Sequence, residues 1–168
     1  LKSMGIEVRY ADPSNPDNFK KLCDEKTRLF YAETLPNPSL RVFPIGEVAD
    51  IGNSLGIPLI VDNTACPIIC KPIEHGAAIV MHSLTKYIGG HGTSIGGIIV
   101  DSGNFDWSKN KSRHPNIWEP DKSYHGAVWG DAVPKLTGAK IPFIIRARVV
   151  LLRDLGSALS LRQIPNLE

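Results

Sequence analysis

Short apolar runs alternate with segments of helical periodicity along the first half of the chain. Ile6, Val8 and Tyr10 occupy alternate positions, as in a strand with one buried face, and residues 29–32 continue this pattern. Continuous apolar runs, which are typical of strands covered on both faces, occupy residues 59–61, 78–81 and 98–100. This part of the sequence therefore predicts five short strands.

Two segments between these strands carry apolar residues at helical spacing. In the first, Phe19, Leu22 and Cys23 fall on one helical face. In the second, apolar residues recur every three or four positions at Ile45, Val48, Ile51 and Leu55. Gly56 then stands where a left-handed residue ends many helices, and Pro58 precedes the next strand. We predict a helix in each segment, the second ending at Gly56.

Strands that alternate with helices predict an α/β fold with a mostly parallel sheet and flanking helices. The periodicity is lost across residues 102–138, where turn formers and scattered aromatic residues predict a long ordered loop region. Residues 142–159 regain an apolar stripe next to Arg146, Arg148 and Arg153, which predicts a last helix.

Composition narrows the classes of function. The 168 residues are 42% hydrophobic and 21% charged, which is typical of a globular domain. The 19 basic and 17 acidic residues leave a net charge of +2 and form no basic patch, so we expect no nucleic-acid or membrane partner. No apolar run is long enough to span a membrane, and the start LKSMGIEVRY lacks a signal-peptide layout. We expect a cytoplasmic protein.

The three cysteines fit a reducing compartment better than a disulfide framework. Cys66 and Cys70 are four residues apart, and His75 and His82 follow, which raises the question of a zinc site. The alternative is that both cysteines are small buried hydrophobic residues, because they flank the apolar segment CPIIC and no second compact pair follows. We predict no metal site.

Polar residues that suit ligand chemistry follow two of the predicted strands. Asp62 ends an apolar strand, and ligands bind in open α/β sheets at the carboxyl ends of the strands. Ser83 and Thr85 follow the run AAIVM and, in an extended segment, would point to the same side. Lys86 comes next, just before the glycine-rich segment GGHGTSIGG.

These residue types have complementary chemistry. A partly desolvated lysine is a nucleophile towards an aldehyde, and two hydroxyls suit a phosphate. A carboxylate such as Asp62 favours a protonated pyridine nitrogen. The alternatives are ordinary ones: Asp62 as a turn or cap residue, Lys86 as a solvated surface group and the glycines as a flexible turn. The glycine cluster matches neither a phosphate loop nor a dinucleotide fingerprint.

The segments ETLPNP, VDNT and HSLTKYIGGHGT resemble the Cys/Met-metabolism family of enzymes, which use pyridoxal 5′-phosphate. The resemblance covers nearly the whole chain and implies part of the large domain of a fold-type I enzyme. It places the Schiff-base lysine at Lys86 and the pyridinium partner at Asp62. It assigns phosphate-binding hydroxyls to Ser83 and Thr85, and contacts beside the ring to Thr64 and Asn37.

Within the family, GGHGTSIGGIIVDSGNFDW and EPDKSYHG resemble the O-acetylhomoserine sulfhydrylase branch of methionine biosynthesis. The resemblance implies a transferase that replaces the acetate of O-acetylhomoserine with sulfide to give homocysteine. Its partners would be that amino acid, sulfide and further copies of the chain, as a tetramer. Cystathionine synthases, cystathionine lyases and methionine γ-lyase are alternative relatives.

The resemblance is partial. Family members are roughly twice this length or more and carry a preceding segment and a C-terminal domain that complete the site. We therefore expect residues 1–160 to be part of the cofactor-binding large domain and residues 161–168 to be an atypical tail. Alternative readings are a non-catalytic truncated fragment, one piece of a nicked enzyme joined by complementary chains, or an unrelated α/β binding domain.

Overall fold

The computed structural model describes residues 1–152 and contains a four-stranded sheet. The strands are β1 (Phe30–Glu33), β2 (Leu59–Asp62), β3 (Ile79–Ser83) and β4 (Gly97–Asp101). They lie in the order β1-β2-β3-β4, with the first three parallel and β4 antiparallel to β3. The predicted α/β fold with a mostly parallel sheet is confirmed.

The α-helices are α1 (Asp17–Lys21), α2 (Ile45–Leu55), α3 (Pro115–Trp118), α4 (Trp129–Thr137) and α5 (Pro142–Arg146). A π-helical turn, Ala147–Leu151, continues α5. Further single turns lie at Lys2–Met4, Pro72–His75, Lys111–Arg113 and Lys122–Tyr124. The predicted last helix is confirmed over residues 142–151, whereas residues 153–159 and the tail at 161–168 lie outside the described residues.

Helix α2 covers one face of the sheet because its apolar residues repeat every three to four positions. Val48 and Ala49 are buried against Phe30 and Val61 in a core cluster on that face. Gly52 allows this close approach, because a Cβ there would lie 2.5 Å from the carbonyl oxygen of Ile57. The predicted end of the helix is also confirmed, since Gly56 has a φ of 68°.

A second apolar cluster covers the opposite face of the sheet. Ala78 and Ile79 pack there with three residues of the segment that follows β4: Phe105, Trp107 and Ile117. Phe143 of α5 stacks on Trp107 with ring centroids 5.7 Å apart. Core clusters therefore lie on both faces of β2 and β3, and the carboxyl ends of these strands project from between the two layers.

Three predictions about the strands and loops are wrong. Residues 6–10 form no strand, and Ile6, Val8 and Tyr10 are exposed. Strand β4 exists, but its apolar residues Ile98, Ile99 and Val100 are exposed instead of being covered on both faces. Residues 102–138 are not one continuous loop, because they contain α3 and α4.

Candidate active site at the carboxyl ends of three strands

The candidate site residues follow the carboxyl ends of β1, β2 and β3, which are neighbours in the sheet. Asn37 lies in the turn after β1, and Asp62 is the last residue of β2. Ser83 is the last residue of β3, and Lys86 lies in the π-helical turn Leu84–Ile88 directly after it. Parallel pairing therefore brings these segments to one edge of the sheet.

Thr64 connects the ends of β2 and β3. Its hydroxyl donates to Oδ1 of Asp62 at 2.6 Å, and its backbone N–H donates to the same oxygen at 2.9 Å. The Thr64 hydroxyl oxygen also accepts the backbone N–H of Ser83 at 2.8 Å. Thr64 therefore fixes the orientation of the Asp62 carboxylate relative to β3.

The second oxygen of the Asp62 carboxylate, Oδ2, has a looser environment. The hydroxyl of Tyr31 on β1 donates to it over a long 3.4 Å. Burial, followed by the charges of Asp62 and Glu33, raises the pKa of Tyr31, so the phenol stays protonated at neutral pH. One oxygen of Asp62 is thus tightly held and the other is available for a cationic partner.

Thr85 and Lys86 do not lie on an extended continuation of β3. The chain turns at Leu84, so the argument that an extended segment aligns the hydroxyls of Ser83 and Thr85 is wrong. Thr85 Oγ1 instead accepts the backbone N–H of Gly96 at 3.0 Å, and its hydroxyl donates to the Gly96 carbonyl at 3.3 Å. Thr85 thereby ties the glycine-rich segment back to the turn.

Lys86 is exposed, and its backbone angles (φ −97°, ψ −122°) depart from the helical values of the turn around it. The partial desolvation that would make this lysine a nucleophile is therefore not seen within residues 1–152. Asn37 is also exposed; its backbone N–H donates to Glu33 over 3.4 Å. Within residues 1–152, no hydrogen bond or ion pair joins Lys86 or Asn37 to Asp62.

Sequence reasoning missed two buried polar residues behind this edge. Thr34 is 5% exposed and Asn63 is 1% exposed, and the Thr34 hydroxyl donates to Oδ1 of Asn63 at 2.8 Å. The sequence could have indicated that Asn63 is buried, because side chains alternate between the two faces along β2. Asn63 therefore points towards the same core as Val61, while Asp62 points the other way.

The structure shows the state of the cysteines and tests the described residues for a metal site and a membrane-spanning helix. Cys66 is buried, Cys23 and Cys70 are partly buried, and all three are free. Burial raises the pKa of the Cys23 and Cys70 thiols. Across residues 1–152, no three His, Cys, Asp or Glu side chains are grouped to hold a metal ion. Nor does that part of the chain contain a helix long and apolar enough to cross a membrane.

The fold and the candidate site together define an α/β domain with polar side chains at the carboxyl ends of the strands of a mostly parallel sheet. The sequence matches the Cys/Met metabolism PLP-dependent enzymes over residues 1–160. The chain belongs to this family of pyridoxal-phosphate enzymes.

Known proteins agree with this assignment. The chain is 50% identical over 161 residues to the O-acetyl-L-homoserine sulfhydrylase of Leptospira meyeri, covering 94% of this chain and 36% of that protein. It is 44% identical over 158 residues to the homocysteine/cysteine synthase of Saccharomyces cerevisiae, covering 93% and 34% respectively. The chain therefore spans about a third of the length of these curated relatives.

Solved structures show the same similarity. The crystal structure of a putative O-acetylhomoserine (thiol)-lyase from Campylobacter jejuni matches with a TM-score of 0.81 and 36% identity. The match covers 93% of this chain and 37% of that one, and the Campylobacter structure contains N′-pyridoxyl-lysine-5′-monophosphate. An O-acetylhomoserine sulfhydrylase of Wolinella succinogenes matches with a TM-score of 0.70 and 32% identity, covering 93% and 39%.

Proposed function

We propose that this chain supplies part of the active site of an enzyme that replaces the acetate of O-acetylhomoserine with sulfide to give homocysteine. The observation that carries the proposal is the grouping of a carboxylate, hydroxyls and a lysine after β2 and β3 in a family that depends on pyridoxal phosphate. The names of the Leptospira and Wolinella relatives support the sulfhydrylase branch.

The side chains at the edge fit pyridoxal 5′-phosphate. Within residues 1–152, Oδ2 of Asp62 accepts only the long hydrogen bond from Tyr31, so it suits a protonated pyridine nitrogen. The hydroxyl of Ser83 has no hydrogen-bond partner within residues 1–152 and is free to donate to a phosphate oxygen. Lys86 is an accessible primary amine on the adjoining turn, which suits an aldehyde.

Each residue then has a distinct task. Lys86 would hold the cofactor and afterwards move protons at its Nζ, and Asp62 would keep the ring nitrogen protonated. Ser83 would bind the phosphate, and Thr85 would join it by exchanging its hydrogen bond to the Gly96 carbonyl for one to a phosphate oxygen, while Thr64 and Asn37 would lie beside the ring. When bound, the cofactor supplies an electron sink for chemistry at the substrate's carbon atoms.

The proposal extends to the surroundings of the site. Residues 1–160 would belong to the cofactor-binding large domain of a homo-oligomer, with a tetramer as the expected state. The amino-acid substrate and sulfide would be its small-molecule partners. The three free cysteines support a cytoplasmic location.

A chimera provides the test, because the Leptospira enzyme is 50% identical to this chain. Residues 1–152 of this chain replace the matching part of that enzyme, and homocysteine formation from O-acetylhomoserine and sulfide is measured. We expect turnover that is abolished by Lys86→Ala and retained by Lys140→Ala, a control at an exposed lysine outside the site. A folded chimera that needs no Lys86, or that releases only elimination products in the presence of sulfide, would contradict the proposal.

A further inference from the structure

Asn63 has a buried side-chain amide and lies between Asp62, the last residue of β2, and Thr64. It is 1% exposed, yet all of its side-chain groups are paired. Its Oδ1 accepts the hydroxyl of Thr34, and its Nδ2 donates to the carbonyls of Cys66 at 3.0 Å and Cys70 at 2.8 Å. A polar group so completely satisfied in a core fixes one arrangement of the chain around it.

The amide closes the turn that follows β2. The backbone N–H of Cys66 donates to the carbonyl of Asn63 at 3.2 Å, and that of Cys70 donates to the carbonyl of Cys66 at 3.2 Å. Nδ2 of Asn63 adds two side-chain anchors to this turn, one at the Cys66 carbonyl, which also accepts the Cys70 N–H, and one at the Cys70 carbonyl. The path of residues 63–70, and therefore of Thr64, is set by the Asn63 side chain.

Thr34 links this turn to the neighbouring strand. Its hydroxyl holds Asn63, its backbone N–H donates to the carbonyl of Asp62 at 3.0 Å, and its carbonyl accepts the N–H of Phe43 at 3.2 Å. Thr34 is 5% exposed, so loss of its hydroxyl would leave a buried amide oxygen without a donor.

The effect reaches the site through Thr64. On the opposite face of the chain from Asn63, the Thr64 hydroxyl holds the Asp62 carboxylate and accepts the N–H of Ser83. A displaced turn would break both bonds together, although neither Thr34 nor Asn63 touches Asp62 through its side chain.

We infer that Asn63, held by Thr34, is a positioning residue that orients the Asp62 carboxylate and couples it to β3 through Thr64. The inference rests on the proposed function, because it gives Asn63 a role in the reaction only if Asp62 serves the cofactor. Its structural part, the coupling of Thr34 to the Ser83 amide, is measurable in the protein without cofactor.

The experiment compares Thr34→Val with Thr34→Ser, which lack and keep the hydroxyl respectively. Hydrogen exchange is followed by NMR at the Ser83 amide, and the Ala78 amide, which donates to Leu59 in the sheet at 2.9 Å, reports general opening. We expect exchange at Ser83 to be at least about tenfold faster in Thr34→Val, with Ala78 little changed and with Thr34→Ser restored. Asn63→Asp, which replaces both amide donors with an oxygen, should act like Thr34→Val, whereas the exposed Asn104→Asp should behave as the unmodified protein.

In the chimera, Thr34→Val should also change the pH dependence of the cofactor's visible absorbance, and Thr34→Ser should not. The inference would be overturned if Thr34→Val raised the exchange rates of the Ser83 and Ala78 amides by the same factor. It would also be overturned if Thr34→Val left the exchange rate of the Ser83 amide unchanged. Attachment of the cofactor to Lys86 is measured separately, so a failure of the proposed function is distinguishable from a failure of this coupling.

Discussion

At the scale of residues, His114 joins the segment after β4 to the end of α2. Its Nε2 lies 3.0 Å from the carbonyl oxygen of Gly56, and the edge-on ring of Trp107 packs 5.1 Å away. Burial lowers the pKa of His114, the hydrogen bond to Gly56 opposes this, and the charges of Arg28 and Arg113 lower it further. Neutral His114, with its proton on Nε2, therefore suits this position.

This environment predicts how stability depends on pH. The pKa of His114 is below its unfolded value of about 6.5, so the unfolded chain binds the extra proton first as the pH falls. The contribution of His114 is complete above about pH 6.5 and is lost as the pH decreases towards the lowered folded pKa. We expect His114→Gln to reduce this acid sensitivity of the free energy of unfolding, measured with urea.

His75→Gln is the matched control, because His75 is exposed. It should show the same change of stability with pH as the unmodified protein. Parallel pH curves for His114→Gln and the unmodified protein would contradict the assigned environment of His114.

At the scale of elements, two glycines that end helices give a matched comparison. Gly56 ends α2 with a φ of 68°, and Gly138 ends α4 with a φ of 72°. A Cβ at Gly56 would lie 2.8 Å from Cβ of Asn110, whereas one at Gly138 would meet nothing within 4 Å. Both positions impose left-handed backbone, but only Gly56 is also closely packed.

We therefore expect Gly138→Ala to lower the free energy of unfolding by about 1 kcal/mol, the conformational penalty of a left-handed residue. Gly56→Ala should lower it by at least about 1 kcal/mol more, because the added methyl group must displace the Asn110 backbone. Urea denaturation measures both values. Equal losses in the two variants would show that α2 and residue 110 do not pack as described.

The sequence predicted those helices and strands that carry a regular pattern of apolar residues. Helix α2 and strands β1 to β3 follow from periodicity, because a regular apolar stripe is buried against the sheet or the helices. Helix α4 contains Gly130 and Pro134, which obscure its periodicity, and it is stabilised through Trp129, whose indole N–H donates to Asp121 at 2.9 Å. Such a contact is not visible in local sequence.

The site was predictable to the same extent. Asp62 and Ser83 were proposed as site residues because they end apolar strands, and Lys86 was proposed because it follows directly; the structure confirms their positions in the chain fold, while their roles stay predictions. The roles of Thr34 and Asn63 depend on contacts between different strands and on carbonyls of a turn, which no local pattern specifies. The turn at Leu84 and the partner of Thr85, Gly96, depend on how the glycine-rich segment folds back.

At the scale of the whole molecule, the sheet ends in an edge strand, β4, with exposed apolar side chains. Ile98, Ile99 and Val100 of β4 are 45%, 45% and 38% exposed, and β4 pairs with β3 alone among the described strands. Exposed edges with apolar side chains favour association.

We expect the 168-residue chain to self-associate as its concentration rises, as measured by sedimentation velocity. Ile99→Lys should reduce the average mass because it places a charge on this strand. Leu136→Lys, at an 85% exposed position on α4, is the control and should not. A monomer at all concentrations would contradict the prediction.

The proposed function requires that Lys86 holds pyridoxal 5′-phosphate at the carboxyl ends of the strands. The most direct measurement is borohydride reduction of the cofactor-loaded chimera, followed by peptide mapping and mass spectrometry of the pyridoxyl group. We predict that the pyridoxyl group is found on Lys86 and that Lys86→Arg abolishes this modification. Modification of Lys71 or Lys140 instead, with Lys86 unmodified, would contradict the proposed function.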